Sequence, residues 1–254
     1  MTRIDLNCDL GESFGPYTLG QDEALLGLVS SANIACGFHA GDPAVMARTV
    51  TLAVERGVAV GAHPGLPDLA GFGRRMMALT PKDVYSATLY QIGALEAFAR
   101  RSGAPLRHVK PHGALYGMAE ADPAIAQALA AAVRDFDPSL VLFGLAGGRL
   151  IQEGRAVGLA VAEEAFADRA YLPDGRLAPR HQPGAVLHDP DAAARRALRL
   201  VQEGRLAAVD GSDLTIRADT LCIHGDEPSA LPVARAVRAA LTGHGVEIRR
   251  PGDR

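Results

Sequence analysis

Amphipathic stretches, in which apolar residues recur every three or four positions, alternate with short apolar runs along this chain. One such stripe comprises Met46, Val50 and Val54, and another runs from residue 84 to residue 99. This spacing is typical of helices with one buried face. Four helix starts are marked by a capping side chain followed by proline: Asp42-Pro43, Thr80-Pro81, Asp122-Pro123 and Asp189-Pro190. Thr80 and Asp83 also fit a capping box.

The apolar runs between these helices are short and contain β-branched residues, which indicates strands. We predict seven strands, at about residues 3–9, 32–38, 58–63, 107–112, 140–146, 159–166 and 219–224. Strands that alternate with helices form βαβ units and a parallel sheet. Polar groups follow most of these strands, whereas an open sheet concentrates its ligand at one switch point. We therefore predict an α/β fold, a single-domain seven-stranded parallel β/α barrel over residues 1–254.

One long irregular stretch interrupts this pattern. Residues 170–188 are rich in Pro, Gly and Arg. A stretch of this length predicts a lid or an interaction loop, and a plain surface excursion is the alternative.

Composition narrows the classes of function. Of 254 residues, 48% are hydrophobic and the net charge is −3, so a large core is expected and nucleic acid is a poor candidate partner. No signal-peptide pattern or membrane-length run is present, so we expect no membrane association and a cytoplasmic location. The three cysteines, Cys8, Cys36 and Cys222, have no CxxC spacing and are expected to be reduced thiols.

The ends of the predicted strands carry titratable groups. His39, His63, His112 and His224 each follow an apolar run and lie beside glycine, and the first strand ends in Asp9 instead. A barrel of parallel strands brings such positions to one face, where its active site lies. Recurrence at strand ends therefore predicts an enzyme.

Lys110 and two acidic groups are the predicted catalytic residues, together with His112. Only two of 26 basic residues are lysines, which suggests that Lys110 serves as a titratable or compact ammonium. At a buried strand end it could act as an acid or base, or remain charged and polarise a carbonyl or phosphate oxygen. Asp9 and Glu12 could share acid and base roles or hold a metal. The alternative is that Asp9 only turns the chain and that Glu12 is a solvated carboxylate.

Six further charged or imidazole side chains are predicted to bind substrate. Arginines suit a substrate carboxylate and the others could orient a substrate, although surface charge and structural ion pairs are the alternatives. The set is Arg74, Arg75, Glu164, Asp168, His224 and Asp226. No GxxxxGK[ST] phosphate loop, GxSxG elbow, HExxH helix or complete dinucleotide fingerprint occurs.

Six segments together resemble the LamB/YcsF family: residues 5–15, 31–43, 61–75, 110–116, 164–169 and 222–228. One departure is Gly117, where asparagine is expected. The resemblance implies a seven-stranded barrel of the glycoside hydrolase/deacetylase type. It also implies the A subunit of a bacterial ATP-dependent 5-oxoprolinase, which opens the lactam of 5-oxo-L-proline to L-glutamate with separate B and C subunits, ATP being a co-substrate of the complex.

These implications assign roles to the candidate residues. Arg74 or Arg75 would bind the substrate carboxylate and Lys110 would stabilise the developing oxyanion or a phosphorylated carbonyl. Water activation or protonation of the leaving nitrogen would fall to Asp9 or Glu12, together with His39, His63 and His112. Lys110→Ala is expected to abolish glutamate release without unfolding the chain. A divalent metal at Asp9, His39 and His63 is a further expectation, by analogy with related deacetylases.

Two alternatives remain open at this point. One is a metal-dependent amide or acetyl hydrolase that acts on a sugar without ATP. The other is a non-catalytic regulatory subunit, in which the strand-end groups bind a ligand but do no chemistry.

Overall fold

Seven parallel strands close into a barrel in the computed structural model, which describes residues 2–180 and 182–252. The strands of this part of the chain are β1 (Arg3–Leu10), β2 (Ser31–Ala35), β3 (Ala59–His63), β4 (His108–Val109), β5 (Val141–Leu145), β6 (Ala160–Phe166), β7 (Arg205–Ala207), β8 (Asp213–Thr215), β9 (Thr220–Ile223) and β10 (Glu247–Ile248). The barrel runs in the order β1, β2, β3, β4, β5, β6 and β9, and β9 pairs with β1 to close it. The predicted seven-stranded barrel is confirmed.

Helices surround the barrel on the outside. They are α1 (Asp22–Leu26), α2 (Pro43–Glu55), α3 (Pro81–Arg101), α4 (Gly113–Ala121), α5 (Pro123–Phe136), α6 (Arg149–Ala156), α7 (Pro190–Glu203) and α8 (Ala230–Gly243). All four predicted caps are present, because Asp42, Thr80, Asp122 and Asp189 each accept backbone N–H bonds ahead of a proline. The Thr80–Asp83 capping box is also formed. No helix of the described residues is long and apolar enough to cross a membrane.

The prediction differs from the structure in several elements. The fourth strand is shorter than the predicted 107–112, because Pro111 has no N–H, although Lys110 and His112 still donate backbone N–H bonds to Ala62 and Pro64. Helix α4 begins directly after it with no side-chain cap. Strands β7 and β8 form an unpredicted antiparallel pair, and β10 adds to the edge of β1.

The interior of the barrel is polar. In strand β1 polar and apolar residues alternate strictly: Asp5, Asn7 and Asp9 are separated by apolar residues such as Leu6. Nearly all of the strand is buried. The amide of Asn7 donates to Glu164 (3.0 Å) and to the Thr220 hydroxyl (2.7 Å) across the barrel. Barrel interiors are usually filled by branched apolar side chains. Here the space is filled by a hydrogen-bonded network instead.

The irregular stretch predicted at residues 170–188 folds back on its own start. Ala170 donates its N–H to Ala185 (3.0 Å) and Ala178 donates to Ala170 (2.9 Å), and these three alanines form a small buried cluster. His181 lies outside the described residues. Part of the loop reaches the open end of the barrel, while its action as a lid or interaction loop stays a prediction.

Candidate active site

A cavity of about 470 Å³ opens at the carboxyl-terminal end of the barrel strands. Its floor and one side are formed by groups at or just after the strand ends and by Arg74 from the loop that follows β3. The strand-end groups are Asp9, His63, Lys110, His112 and His224. The opposite side is formed by residues 177–180 of the irregular loop. Parallel barrels place their catalytic groups at this end because all the strands finish there.

Most of the predicted site residues meet at this cavity. Lys110, His112, Asp9, Arg74 and His224 line it directly. Four others lie behind this surface in buried positions: Glu12, His39, Glu164 and Asp168. Parallel strand pairing places the ends of neighbouring strands side by side, which is why residues far apart in sequence converge.

Lys110 occupies the centre of the floor. Its Nζ lies 2.9 Å from Asp9 Oδ1 and 2.9 Å from Glu164 Oε1, and it also donates to Asn7 Oδ1 and Cys222 Sγ. Burial opposes the charge on this amine, but Asp9, Cys222 and Glu164 outweigh burial and hold the pKa of Lys110 well above its usual value. Of the two roles left open, the structure therefore supports a permanent ammonium.

His63 and His112 face each other through the ring nitrogens that do not contact backbone carbonyls. His63 Nδ1 lies 2.7 Å from the carbonyl of Lys110, and His112 Nε2 lies 2.8 Å from the carbonyl of Phe72. A carbonyl only accepts, so each of these nitrogens carries the N–H. The remaining nitrogens, His63 Nε2 and His112 Nδ1, are 3.0 Å apart. Two lone pairs at this distance need a shared proton or a cation between them.

Two more groups complete this cluster. His39 stacks on His112 with ring centroids 3.7 Å apart, and its Nε2 lies 3.3 Å from Glu12 Oε1. The side chain of His39 is buried, and its Nδ1 has no hydrogen-bond partner among the described residues. Burial, with Asp9 next, raises the pKa of Glu12 well above its usual value.

The donor set of this cluster fits a divalent metal. One ligand atom from each of Glu12, His39, His63 and His112 lies within 4.8 Å of the others. Zinc sites use such nitrogen and oxygen ligands, and their histidines usually donate the second N–H to a carbonyl, as His63 and His112 do. The sequence-based ligand set named Asp9 with His39 and His63. In the structure Asp9 Oδ1 binds Lys110, while its Oδ2 lies 3.3 Å from His63 Nε2.

His224 is oriented by a carboxylate on the neighbouring strand end. Asp168 Oδ2 accepts the backbone N–H of His224 at 3.0 Å and lies 2.9 Å from its Nδ1. Burial opposes the charge of Asp168, but His224 outweighs it and lowers the pKa of Asp168. The ring stacks beside Phe166 with centroids 5.5 Å apart. Nε2 is therefore the nitrogen left for a bound molecule.

Three predicted substrate-binding residues, Arg74, Arg75 and Asp226, lie on loops near the cavity and already form ion pairs. Arg74 Nη2 donates to Asp226 Oδ2 at 2.7 Å. The Arg75 side chain is 67% exposed, does not line the cavity, and is held by Asp68. Of the arginine pair, only Arg74 faces the cavity.

Several site residues were not singled out from the sequence. Asn7, Asn33 and His108 connect the floor to the barrel interior: Asn33 donates to Asn7 (2.7 Å) and to Asp9 (2.8 Å) and accepts from His108 Nε2 (2.8 Å). The strict alternation of polar and apolar residues in β1 could have indicated this network. A strand that is buried on both faces is normally apolar throughout, so alternation indicates that one face meets a polar interior. Arg169 lines the cavity, whereas the sequence had given it no role beyond the end of the family-like segment 164–169.

This chain is similar to named proteins and to a protein of known structure. The 5-oxoprolinase A subunit of Methylococcus capsulatus is 58% identical over 249 residues, covering 98% of this chain and 96% of that protein. The crystal structure of a lactam utilization protein from Thermus thermophilus is 57% identical, superposes with a TM-score of 0.93, and covers 97% of this chain and 99% of its own.

A more distant likeness concerns the fold alone. The catalytic domain of a peptidoglycan N-acetylglucosamine deacetylase from Eubacterium rectale is 10% identical, with a TM-score of 0.53 over 100% of this chain and 90% of that one. The model of the LamB/YcsF family matches residues 4–253. This chain therefore belongs to the LamB/YcsF family.

Proposed function

We propose that this chain is the A subunit of an ATP-dependent 5-oxoprolinase, and that it opens the ring of 5-oxo-L-proline to L-glutamate. The observation that carries the proposal is its identity of more than half, over nearly the whole chain, with proteins of that name. We place the reaction in the cytoplasm. The net change breaks the ring C–N bond, adds water across it, and is driven by hydrolysis of ATP to ADP and phosphate.

The charged groups of the cavity supply the chemistry that this reaction needs. The Lys110 ammonium can donate to the lactam oxygen when that oxygen replaces one of the four acceptors that Lys110 now contacts. The lactam oxygen gains negative charge as the carbonyl is attacked, and the ammonium stabilises that charge. His224, with Nδ1 held by Asp168, offers Nε2 to accept a proton from water and to return it to the leaving ring nitrogen. A five-membered lactam is an unstrained amide, so opening it is unfavourable without coupling to ATP.

Partners are part of the proposal. No phosphate-loop motif occurs in the sequence, so we assign ATP binding to the assembled complex with the B and C subunits. Nucleic acid and membranes have no role in it.

The metal is a further component of the proposal. Glu12, His39, His63 and His112 would hold it, and a divalent ion there would supply a Lewis acid or lower the pKa of a bound water. The facing lone pairs of His63 and His112 support this assignment. Lys110 and His224 keep the roles given above.

A glutamate-release assay with each combination of the three subunits and ATP tests the function. We expect release of glutamate only when this chain, both partners, ATP and 5-oxoproline are all present. Release of acetate from acetylated oligosaccharides without ATP would instead support the sugar deacetylase. If substitutions at Lys110 and His224 changed affinity but never rate, the chain would be a regulatory subunit.

A further inference from the structure

Four cationic side chains line the cavity, and three of them already have a carboxylate partner. Lys110 pairs with Asp9 and Glu164, Arg74 with Asp226, and Arg180 with Glu227 at 3.1 Å. Arg169 is the fourth. Among residues 2–180 and 182–252, no carboxylate oxygen lies within 4.0 Å of its guanidinium.

Arg169 is nonetheless buried. It is 6% exposed, and its guanidinium donates to two backbone carbonyls of its own loop: Nη2 to Ala178 at 2.6 Å and Nε to Ala185 at 3.3 Å. These neutral acceptors orient the group but bring no negative charge into contact with it. Burial lowers the pKa of Arg169 to about 10, so the side chain is still protonated at neutral pH.

The carboxylate next to it in sequence, Asp168, compensates this charge only in part, through space and without an ion pair to Arg169. Asp168 directs both oxygens to His224. Burial of a cation with no carboxylate in contact with it is unfavourable, and binding of an anion beside it offsets that cost. The charge of Arg169 is therefore better explained by binding of an anionic ligand than by a contribution to the stability of the fold.

We propose that Arg169 binds the carboxylate of the substrate, and that Arg74 and Arg75, which were expected in that role, do not. The inference rests on the proposed function for the identity of that substrate, a cyclic amide with a carboxylate beside its ring nitrogen. Arginine suits such a group because its planar fork matches a carboxylate. The lactam oxygen is then directed to Lys110 on the cavity floor.

Binding of two ligands to the isolated chain tests this assignment. The ligands are 5-oxoproline and 2-pyrrolidone, which is the same ring without the carboxylate, and calorimetry measures both affinities. Loss of a charged hydrogen-bonded contact corresponds to about a 10- to 100-fold change in affinity. We expect wild type to prefer 5-oxoproline by that factor, and Arg169→Gln to bind the two ligands equally.

Two variants act as comparisons. Arg176 lies on the same loop, is 71% exposed in its side chain and pairs with Asp174, so Arg176→Gln is expected to keep the full preference. Arg169→Lys keeps the charge but loses the fork, so it is expected to keep part of the preference. If Arg169→Gln does not fold, as judged by circular dichroism and thermal melting, Arg169→Lys and the wild-type preference decide the question.

The outcomes separate this inference from the proposed function. Equal binding of the two ligands by wild type, or loss of the preference in Arg74→Gln but not in Arg169→Gln, would overturn the role of Arg169. If the complete complex releases glutamate and Arg169→Gln leaves the KM for 5-oxoproline unchanged, the function stands and the inference falls. If wild type prefers the acid through Arg169 but no complex opens the ring, the function falls and the anion site stands.

Discussion

At the scale of single residues, Lys110 shows how an ion pair inside a barrel differs from one on the surface. Its ammonium and the carboxylates of Asp9 and Glu164 are all buried. Removal of one partner from a buried ion pair leaves an uncompensated charge, which typically costs about 3–5 kcal/mol. The expectation that Lys110→Ala does not unfold the chain stays a prediction, to which the structure adds a loss of stability.

Lys110→Ala is predicted to abolish glutamate release by the complex and to lower the free energy of unfolding by about 3–5 kcal/mol. The only other lysine, Lys82, is exposed in the first turn of α3, so Lys82→Ala is the matched control and should change neither quantity by much. Urea denaturation and the glutamate assay measure the two effects. Near-normal turnover by folded Lys110→Ala would exclude the catalytic role.

Asp5 provides a pH-dependent prediction at the other end of the barrel. It accepts hydrogen bonds from Ser30, Ser31 and Thr220, yet burial dominates and raises its pKa to about 6. Between about pH 4 and pH 6 the folded chain holds a proton on Asp5 that the unfolded chain has lost. The contribution of Asp5 to the free energy of unfolding therefore falls as the pH rises through this window, and stays low above it.

Comparison of wild type with Asp5→Asn isolates this effect from the other titrating groups. Relative to the variant, wild type should lose roughly 2 kcal/mol of unfolding free energy between pH 4 and pH 6.5, at 1.36 kcal/mol per pKa unit. Urea denaturation at several pH values measures the difference. A difference that does not change with pH would show that Asp5 titrates normally.

At the scale of elements, the helix starts were the most predictable feature. Capping is a local interaction between residues two or three apart, so the sequence alone contains both partners. Asp122, for example, is exposed and accepts the N–H of Ala124 at 2.8 Å. Strands β7, β8 and β10 were missed because each is very short, and their pairing depends on residues brought near by the rest of the fold.

Asp122→Ala is predicted to lower the free energy of unfolding by about 1 kcal/mol, because the first turn of α5 loses a side-chain acceptor. Asp122→Asn retains an acceptor oxygen and should lose only a few tenths of that. Thermal and urea unfolding measure both, and glutamate release should be unaffected. Equal losses in the two variants would point to charge rather than capping.

The positions of the site histidines depend on glycines in neighbouring segments. A Cβ added to Gly65 would lie 2.4 Å from His39 Nδ1, and one added to Gly61 would lie 2.0 Å from His108 Nε2. The glycines beside the histidines indicated a site in the sequence, but these close approaches involve rings from other strands. The need for glycine was therefore visible only in three dimensions.

At the scale of the whole molecule, topology explains what the sequence could predict about the site. Parallel strands in a closed barrel must end at one face, so the convergence of Asp9, His63, Lys110 and His224 follows from the order of elements. The partners of each side chain depend on register and loop path instead. For that reason the structure places Glu12 with the histidine cluster, and the choice between neighbouring arginines could not be made from their residue types.

Purified protein is predicted to contain about one equivalent of a divalent metal per chain, measured by elemental analysis. A chelator should remove it and lower the melting temperature, because a ligand bound only to the folded state stabilises that state. His112→Ala should lose the metal, whereas His244→Ala, an exposed histidine at the end of α8, should retain it. If the purified protein contains no metal and added zinc does not change its melting temperature, a proton shared between His63 and His112 is the better explanation.

The polar interior also restricts how this barrel can vary. Thr220 donates to Asp5 and receives from Asn7, so the Asn7 oxygen is left to receive from Asn33 and Lys110. If an apolar residue replaced Thr220, the Asn7 amide would lose one of the two acceptors that fix its orientation and would keep only Glu164. A turned amide would present N–H groups to the lysine. Thr220, Asn7 and Lys110 thus form one hydrogen-bonded chain, so a substitution at Thr220 weakens the orientation of the oxygen that Asn7 offers to Lys110.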